Sequence, residues 1–228
     1  MNHFARLTIL SLFVLTTACA ARNRLQMGGL HSEIARLSGL EGDPLEKTPV
    51  EYDSTGKPEY DDFFKNAAVV NAELIVSNAL VEVLTKNLKS FARSQVASGA
   101  ADDSLKALLN GHSADEMDAD EAVAVLKLQS QRGKLGADVK EYAGKTAGST
   151  LEAGNYLVGS VVTTKGLAEK GKALGARVQS DFTGLDAPKV PGITSALATS
   201  AGNLTQATTT APAVAKQLLR LAQGLMSL

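Results

Sequence analysis

The feature that most constrains this chain is the placement of its prolines. All six lie outside residues 59–187. A proline in a helix interior costs about 3 kcal/mol, because it lacks an N–H and its ring clashes with the preceding turn. The proline-free stretch can therefore hold long unbroken helices. The hydrophobic pattern says that it does. Between residues 60 and 96, Phe63, Ala67, Val70, Leu74, Ser77, Val81, Leu84, Leu88 and Phe91 recur in alternating steps of four and three. Ile75, Ala79 and Val83 widen the stripe, and Glu73, Glu82, Lys86, Lys89 and Arg93 are assigned to the opposite side. A stripe this wide and long belongs in a bundle or coiled coil, facing a core.

Further helices follow along the chain. Asp103-Ser104 can start a short helix through Leu105, Leu108 and Leu109 that ends near Gly111. Ser113-Ala114-Asp115-Glu116 matches a capping box, so a helix is expected over about residues 113–133. Asp118, Asp120 and Glu121 add negative charge where a helix dipole favours it. The same acids lack the glycine and distal glutamate of an EF-hand calcium loop. Another helix is expected over about residues 136–180, with room for a bend near Gly154. Glycines recur through it, each costing a helix about 0.8–1 kcal/mol against Ala. Gly144 and Gly148 share one helix face, as do Gly171 and Gly175, a spacing that lets helices approach closely. Residues 156–162 (YLVGSVV) form the most apolar patch but are too short to span a bilayer. Residues 181–191, with Gly184, Pro188 and Pro191, read as a turn or crossover. Residues 194–210 read as a helix with a weak face or as a disordered stalk. Pro212 suits the first turn of a final helix. In that helix Val214, Leu218, Leu221 and Leu225 form a stripe that closes the bundle or meets a membrane or partner. Strand alternation is scarce. The expected class is all-α: an elongated helical bundle of about four to six helices.

Composition narrows function. The chain carries 23 basic and 24 acidic residues. That balance lacks the basic excess of a nucleic-acid binder. There is no Trp, and aromatics are 4%, so platforms for sugars or bases are few. His31 and His112 have no ligand-spaced partners, which argues against a metal site. No nucleophile elbow or phosphate loop occurs. No catalytic residue, metal ligand or cofactor is nominated.

The ends of the chain differ from its middle. Residues 1–6 carry Arg6 and no acid, and residues 7–15 (LTILSLFVL) are almost continuously apolar. That is the plan of a secretion signal, and it is about half the ~20 residues a spanning helix needs. Thr16-Thr17-Ala18-Cys19 follows, and Cys19 is the one cysteine in the chain. This resembles the lipobox of bacterial lipoproteins, in which a cysteine is diacylated and then freed as the new N-terminus. The match is good at Ala18 and Cys19 and looser at Thr16, where the family usually has Leu. An ordinary secretion signal cut near Ala20 and an uncleaved anchor are the alternatives.

The resemblance implies cleavage between Ala18 and Cys19 and lipidation of Cys19 with palmitate-type chains. Two or more acyl chains hold a protein stably on a membrane where one does not. Ala20 in place of Asp implies export to the outer membrane in a double-membrane bacterium. Arg6 leaves with the leader, so the mature balance is 22 basic to 24 acidic residues. The expected organisation is a signal peptide over 1–18, a lipidated tether over 19–58 and a helical bundle over 59–228. Within the tether, Leu30, Ile34 and Leu37 predict a short helix, and Pro44, Pro49 and Pro58 mark a linker or a segment wrapping the domain. The expected function is a non-enzymatic structural or protein-interaction module of the cell envelope, with the membrane and an envelope protein as partners. A membrane-active or pore-forming helical protein is the alternative, and an envelope enzyme a more distant one.

Overall fold

A computed structural model describes residues 54–98, 103–109, 111 and 113–228. Among these residues every regular element is helical. Three helices form the body: α1 (Pro58–Ser98), then, after two short helices α2 (Asp103–Leu108) and α3 (Ala119–Gln131), α4 (Ala137–Asp181) and α5 (Val190–Met226). At 1.5 Å per residue, the 45 residues of α4 make a rod of about 68 Å. The bundle is elongated, as expected.

The three long helices run up, down and up. Along α1 and α4, Tyr60 meets Asp181, Glu73 meets Tyr156, and Asn87 meets Tyr142, so the pair is antiparallel. Along α4 and α5, Gly171 faces Ala201 and Gly154 faces Leu219, again antiparallel. The α4–α5 interface is the most extensive in the fold, and α3 packs on α1 and α5.

Two cores stack along the rod. The proximal core, at the start of α1, gathers Tyr60, Phe63 and Phe64 with Leu174, Val178, Phe182, Ile193, Leu197 and Leu204. Its rings meet edge to face: Tyr60 and Phe182 lie 5.0 Å apart at 78°. The distal core is aliphatic, with Val76, Leu80, Leu84 and Leu88 of α1 against Met117, Leu126, Leu157, Leu218 and Leu225. The expected stripe of the final helix is the core face of α5: Val214, Leu218, Leu221 and Leu225 are all buried.

Local chemistry sets the helix ends. Helix α3 starts at a complete capping box: the Glu121 N–H donates to Asp118 at 2.8 Å, and the Asp118 N–H donates to the Glu121 carboxylate at 2.8 Å. It stops at Gly133, whose φ of +68 suits a residue without Cβ. There the Gly133 N–H reaches Ser130 and the Lys134 N–H reaches Gln129, which is a Schellman pair.

Two expectations are corrected. The helix does not begin at Ser113. Ser113 and Glu116 close a turn instead, with the Ser113 N–H and hydroxyl both donating to the Glu116 carboxylate. The box five residues later is the one that caps, because Met117 and Ala122 must be buried there. Pro212 does not start a helix. It lies inside α5, exposed to water, while Leu204, Ala207, Ala211, Val214 and Leu218 carry one buried face straight past it. Burial along that face offsets the lost backbone bond. Residues 194–210, whose weak face left a disordered stalk open, belong to the same helix. Helix α4 runs unbroken through Gly154, where the missing Cβ makes room for Leu219.

Candidate functional site

Between the two cores lies a belt of polar side chains. Helix α1 supplies Asn71, Glu73 and Ser77, and α4 supplies Ser160 and Thr164, all buried. Tyr156, half-buried on α4, donates its hydroxyl to Glu73. Glu73 is the one buried carboxylate among the described residues, 3% exposed. Burying a carboxylate is costly unless hydrogen bonds replace water. Tyr156 provides one such bond across the bundle and so fixes the register of α1 against α4.

The sequence reading placed Glu73 on the solvent side, and that is corrected here. Val69 and Val70 precede it by one turn, and Val76, Ser77 and Leu80 follow by one and two turns. All five are buried. That flanking pattern was the available signal. It was masked because a carboxylate is almost never fully buried unless paired, and its partner lies 83 residues away on another helix.

The hydroxyls of the belt are engaged by their own helix. Ser160 donates to the Leu157 carbonyl at 2.9 Å and Thr164 to Ser160 at 2.8 Å, as Thr150, in the distal core, does to Thr146 at 2.7 Å. Such back-bonding satisfies a buried hydroxyl locally. Among the described residues, two buried side-chain atoms find no partner: Asn71 Nδ2 in the belt and Ser200 Oγ on α5. The chemistry of this arrangement is positional: one carboxyl–phenol link across the bundle, among side chains turned back on their own backbone.

A second polar cluster closes the proximal end. Tyr60 donates to Asp181 at 2.7 Å, and Arg177 bonds Glu59 at 2.8 Å. Burial, then the hydrogen bond and charge of Asp181, pushes the Tyr60 phenol well up. Arg177 is raised by its bond to Glu59. Burial pushes the Asp61 carboxyl up, but bonds from Thr55 and Ser54 outweigh it and hold the group below its ordinary range. Lys57 lies 5.0 Å over the Phe182 ring. At the far end Asn87 donates to Tyr142 at 2.9 Å, and burial raises that phenol.

Ala18 and Cys19, the predicted cleavage and lipidation residues, lie outside the described residues, as do His31 and His112. The acids at residues 115–121 serve helix α3 and its neighbours. Asp118 and Glu121 cap it, Asp115 lies 3.5 Å from Arg93, and Asp120 lies 3.6 Å from Arg220. No group of three or more metal-ligating side chains occurs among the described residues. The apolar patch at residues 156–162 splits by helix face. Leu157 and Ser160 are buried, while Val158 and Val162 are 54% and 79% exposed.

No family model matches the chain, and neither a curated protein nor a solved structure matches it significantly.

Proposed function

We propose that this chain is a lipoprotein anchored in the bacterial outer membrane, and that its helical bundle is a non-enzymatic structural or protein-interaction module of the cell envelope. One observation carries the reading: a short basic start, an apolar run over residues 7–15 and then Ala18-Cys19, with no other cysteine in the chain. A lone thiol in an exported protein needs a chemical fate, and acylation supplies it. Acyl chains on Cys19 hold the protein on the membrane. The long side of the rod is then the surface offered to an envelope protein.

Cys19→Ser, or the lipoprotein signal peptidase inhibitor globomycin, should accumulate full-length precursor and move the protein out of the outer-membrane fraction. Normal processing and normal partition under both treatments would overturn the proposal. Crosslinking in the native envelope then names the partner.

A second reading is a membrane-active helical protein, and one observation favours it. Within Pro58–Ala97, α1 holds an 18-residue window of mean hydropathy 1.6, which by length and composition could cross a membrane. In the bundle 56% of that window is buried, as in the central helix of a folded domain. Release of dye from vesicles by purified residues 21–228 supports this reading. Intact vesicles across lipid compositions and pH count against it.

A further inference from the structure

At mid-length the three long helices change character at one level. Toward the middle of the rod, the proximal core ends at Val70 of α1, Ala168 of α4 and Ala207 of α5. The distal core starts at Val76, Leu157 and Val214. Among the described residues, Leu74 alone packs against both cores. The three intervals sit side by side. Gly171 faces Ala201 and Gly154 faces Leu219, which places Ser160 of α4 beside the turn of α5 that holds Pro212. Glu73 meets Tyr156, which brings the start of the α1 interval to the same height.

Each interval resists opening poorly, for its own reason. On α1 the buried Asn71 amide has no hydrogen-bond partner, so water that enters there makes a bond instead of breaking one. On α4 the core-facing side chains are Ser160 and Thr164, which give up little apolar burial when exposed. On α5, Pro212 has no N–H, so the Thr208 carbonyl loses its partner in the next turn. Thr208, Thr209 and Thr210 all donate back to carbonyls of their own helix, a pattern that weakens and bends helices. The Glu73–Tyr156 bond pins α1 to α4 here, whereas these α5 hydroxyls are turned back on α5.

We infer that this level is a hinge: the distal half of the bundle opens as a unit, turning at Pro212, while the proximal half stays folded. The halves suit these roles. The proximal half closes on Tyr60, Phe63, Phe64 and Phe182 and is tied across α1 and α4 by Tyr60–Asp181 and Arg177–Glu59. The distal half is sealed by the short helix α3, with the ion pairs Arg93–Asp115 and Arg220–Asp120 on its surface. Exposed pairs of that kind add little. Opening past the hinge bares Val214, Leu218, Leu221 and Leu225 of α5 and leaves intact the end at which α1 begins. Cooperative units that open separately are drawn from such supersecondary pieces.

Hydrogen exchange of the full chain carrying Cys19→Ser, followed by mass spectrometry, tests the hinge without any membrane. Distal amides (residues 76–96 and 214–225) should exchange faster than proximal ones (residues 60–70 and 193–207). Ile193→Val and Leu84→Val each delete one buried methylene, in the proximal and the distal core, a change small enough to keep the fold. Ile193→Val should speed proximal exchange about fivefold and leave distal exchange unchanged, because the distal half opens with the proximal half still folded. Leu84→Val should speed distal exchange about fivefold. Pro212→Ala restores the N–H for the Thr208 carbonyl and should slow distal exchange about tenfold. Distal exchange that rises with Ile193→Val, or that ignores Leu84→Val or Pro212→Ala, overturns the inference. So does proximal exchange that ignores Ile193→Val or is the faster of the two in the parent chain.

Discussion

The proximal and distal cores use the same three helices and different materials. The proximal core is built on rings, with Tyr60, Phe63, Phe64 and Phe182 fully enclosed. The distal core has many small aliphatic contributors and borrows α3 and Met117 to close. Glycine serves both. Gly171 gives way to the ring of Phe63; a Cβ there would lie 2.6 Å from the ring. Gly154 gives way to Leu219 and Gly224 to Val123, where a Cβ would lie within 2.9 Å. Few large pieces make a core that fails when one is removed, and many small pieces spread the loss.

The largest effect should follow Phe63→Ala. Phe-to-Ala changes in cores cost about 3–5 kcal/mol, and here Gly171 opposite the ring has no side chain with which to fill the space. Leu84→Ala in the distal core should cost about 2–5 kcal/mol, nearer the lower end because many neighbours can shift. Urea denaturation of both variants compares them directly. Equal losses would break the contrast between the cores.

The glycines sharpen it. Gly171→Ala should destabilise by about 1–3 kcal/mol through overpacking against an enclosed ring. Gly148→Ala, where a Cβ meets nothing, should stabilise by up to about 1 kcal/mol through helix propensity. Combining Phe63→Leu with Gly171→Ala should recover part of the loss, and a double-mutant cycle measures the coupling. Additive effects would mean that ring and glycine do not depend on each other.

Much of this was readable in advance. The 3.6-residue stripe over 60–96 became α1 within two residues at each end, because a bundle helix with a wide apolar arc leaves little choice of register. The short helix before Gly111 also stands as expected. The glycine spacing was half informative. Of Gly144, Gly148, Gly171 and Gly175, only Gly171 meets another helix closely, because pair spacing fixes a face and not its neighbour. Pro212 and Ser113 misled for a related reason: local rules were overridden by burial on a face that continued through Pro212 and began only after Ser113. Glu73 was misread as exposed despite its apolar flanks, because the partner that lets it be buried, Tyr156, is distant in sequence.

The belt between the cores should respond to Tyr156→Phe. Loss of the hydroxyl takes a hydrogen bond from a buried carboxylate, which costs about 1–3 kcal/mol. A change below the error of chemical denaturation would mean that the link does not hold α1 and α4 in register.

The proximal end should carry a pH dependence through Asp61. Asp61 is held below its ordinary value of 3.8 in the folded chain. A depressed carboxyl stabilises the fold above its unfolded value and ceases to do so as pH falls through its folded value. Melting temperature should therefore fall on acidification below about pH 4, and Asp61→Asn should flatten that fall. An unaltered slope would place the acid sensitivity elsewhere.

The smallest effect tests a blemish in the proximal core. Ser200 is fully buried between Leu197 and Leu204 on α5, and its hydroxyl has no partner. An unsatisfied buried hydroxyl forgoes its bonds to water with nothing in return, and the penalty runs to about 1–3 kcal/mol. Other buried hydroxyls here avoid this by bonding back to their own helix, as Thr164 does at 2.8 Å. Ser200→Ala removes the polar atom, leaves a side chain the same site accepts, and improves helix propensity by a few tenths of a kcal/mol. It should raise the melting temperature by a few degrees, given that 1 kcal/mol moves a domain of this size by about 2–4 °C. A lower melting temperature would show that the hydroxyl does have a partner in solution, a water or a side chain that turns toward it.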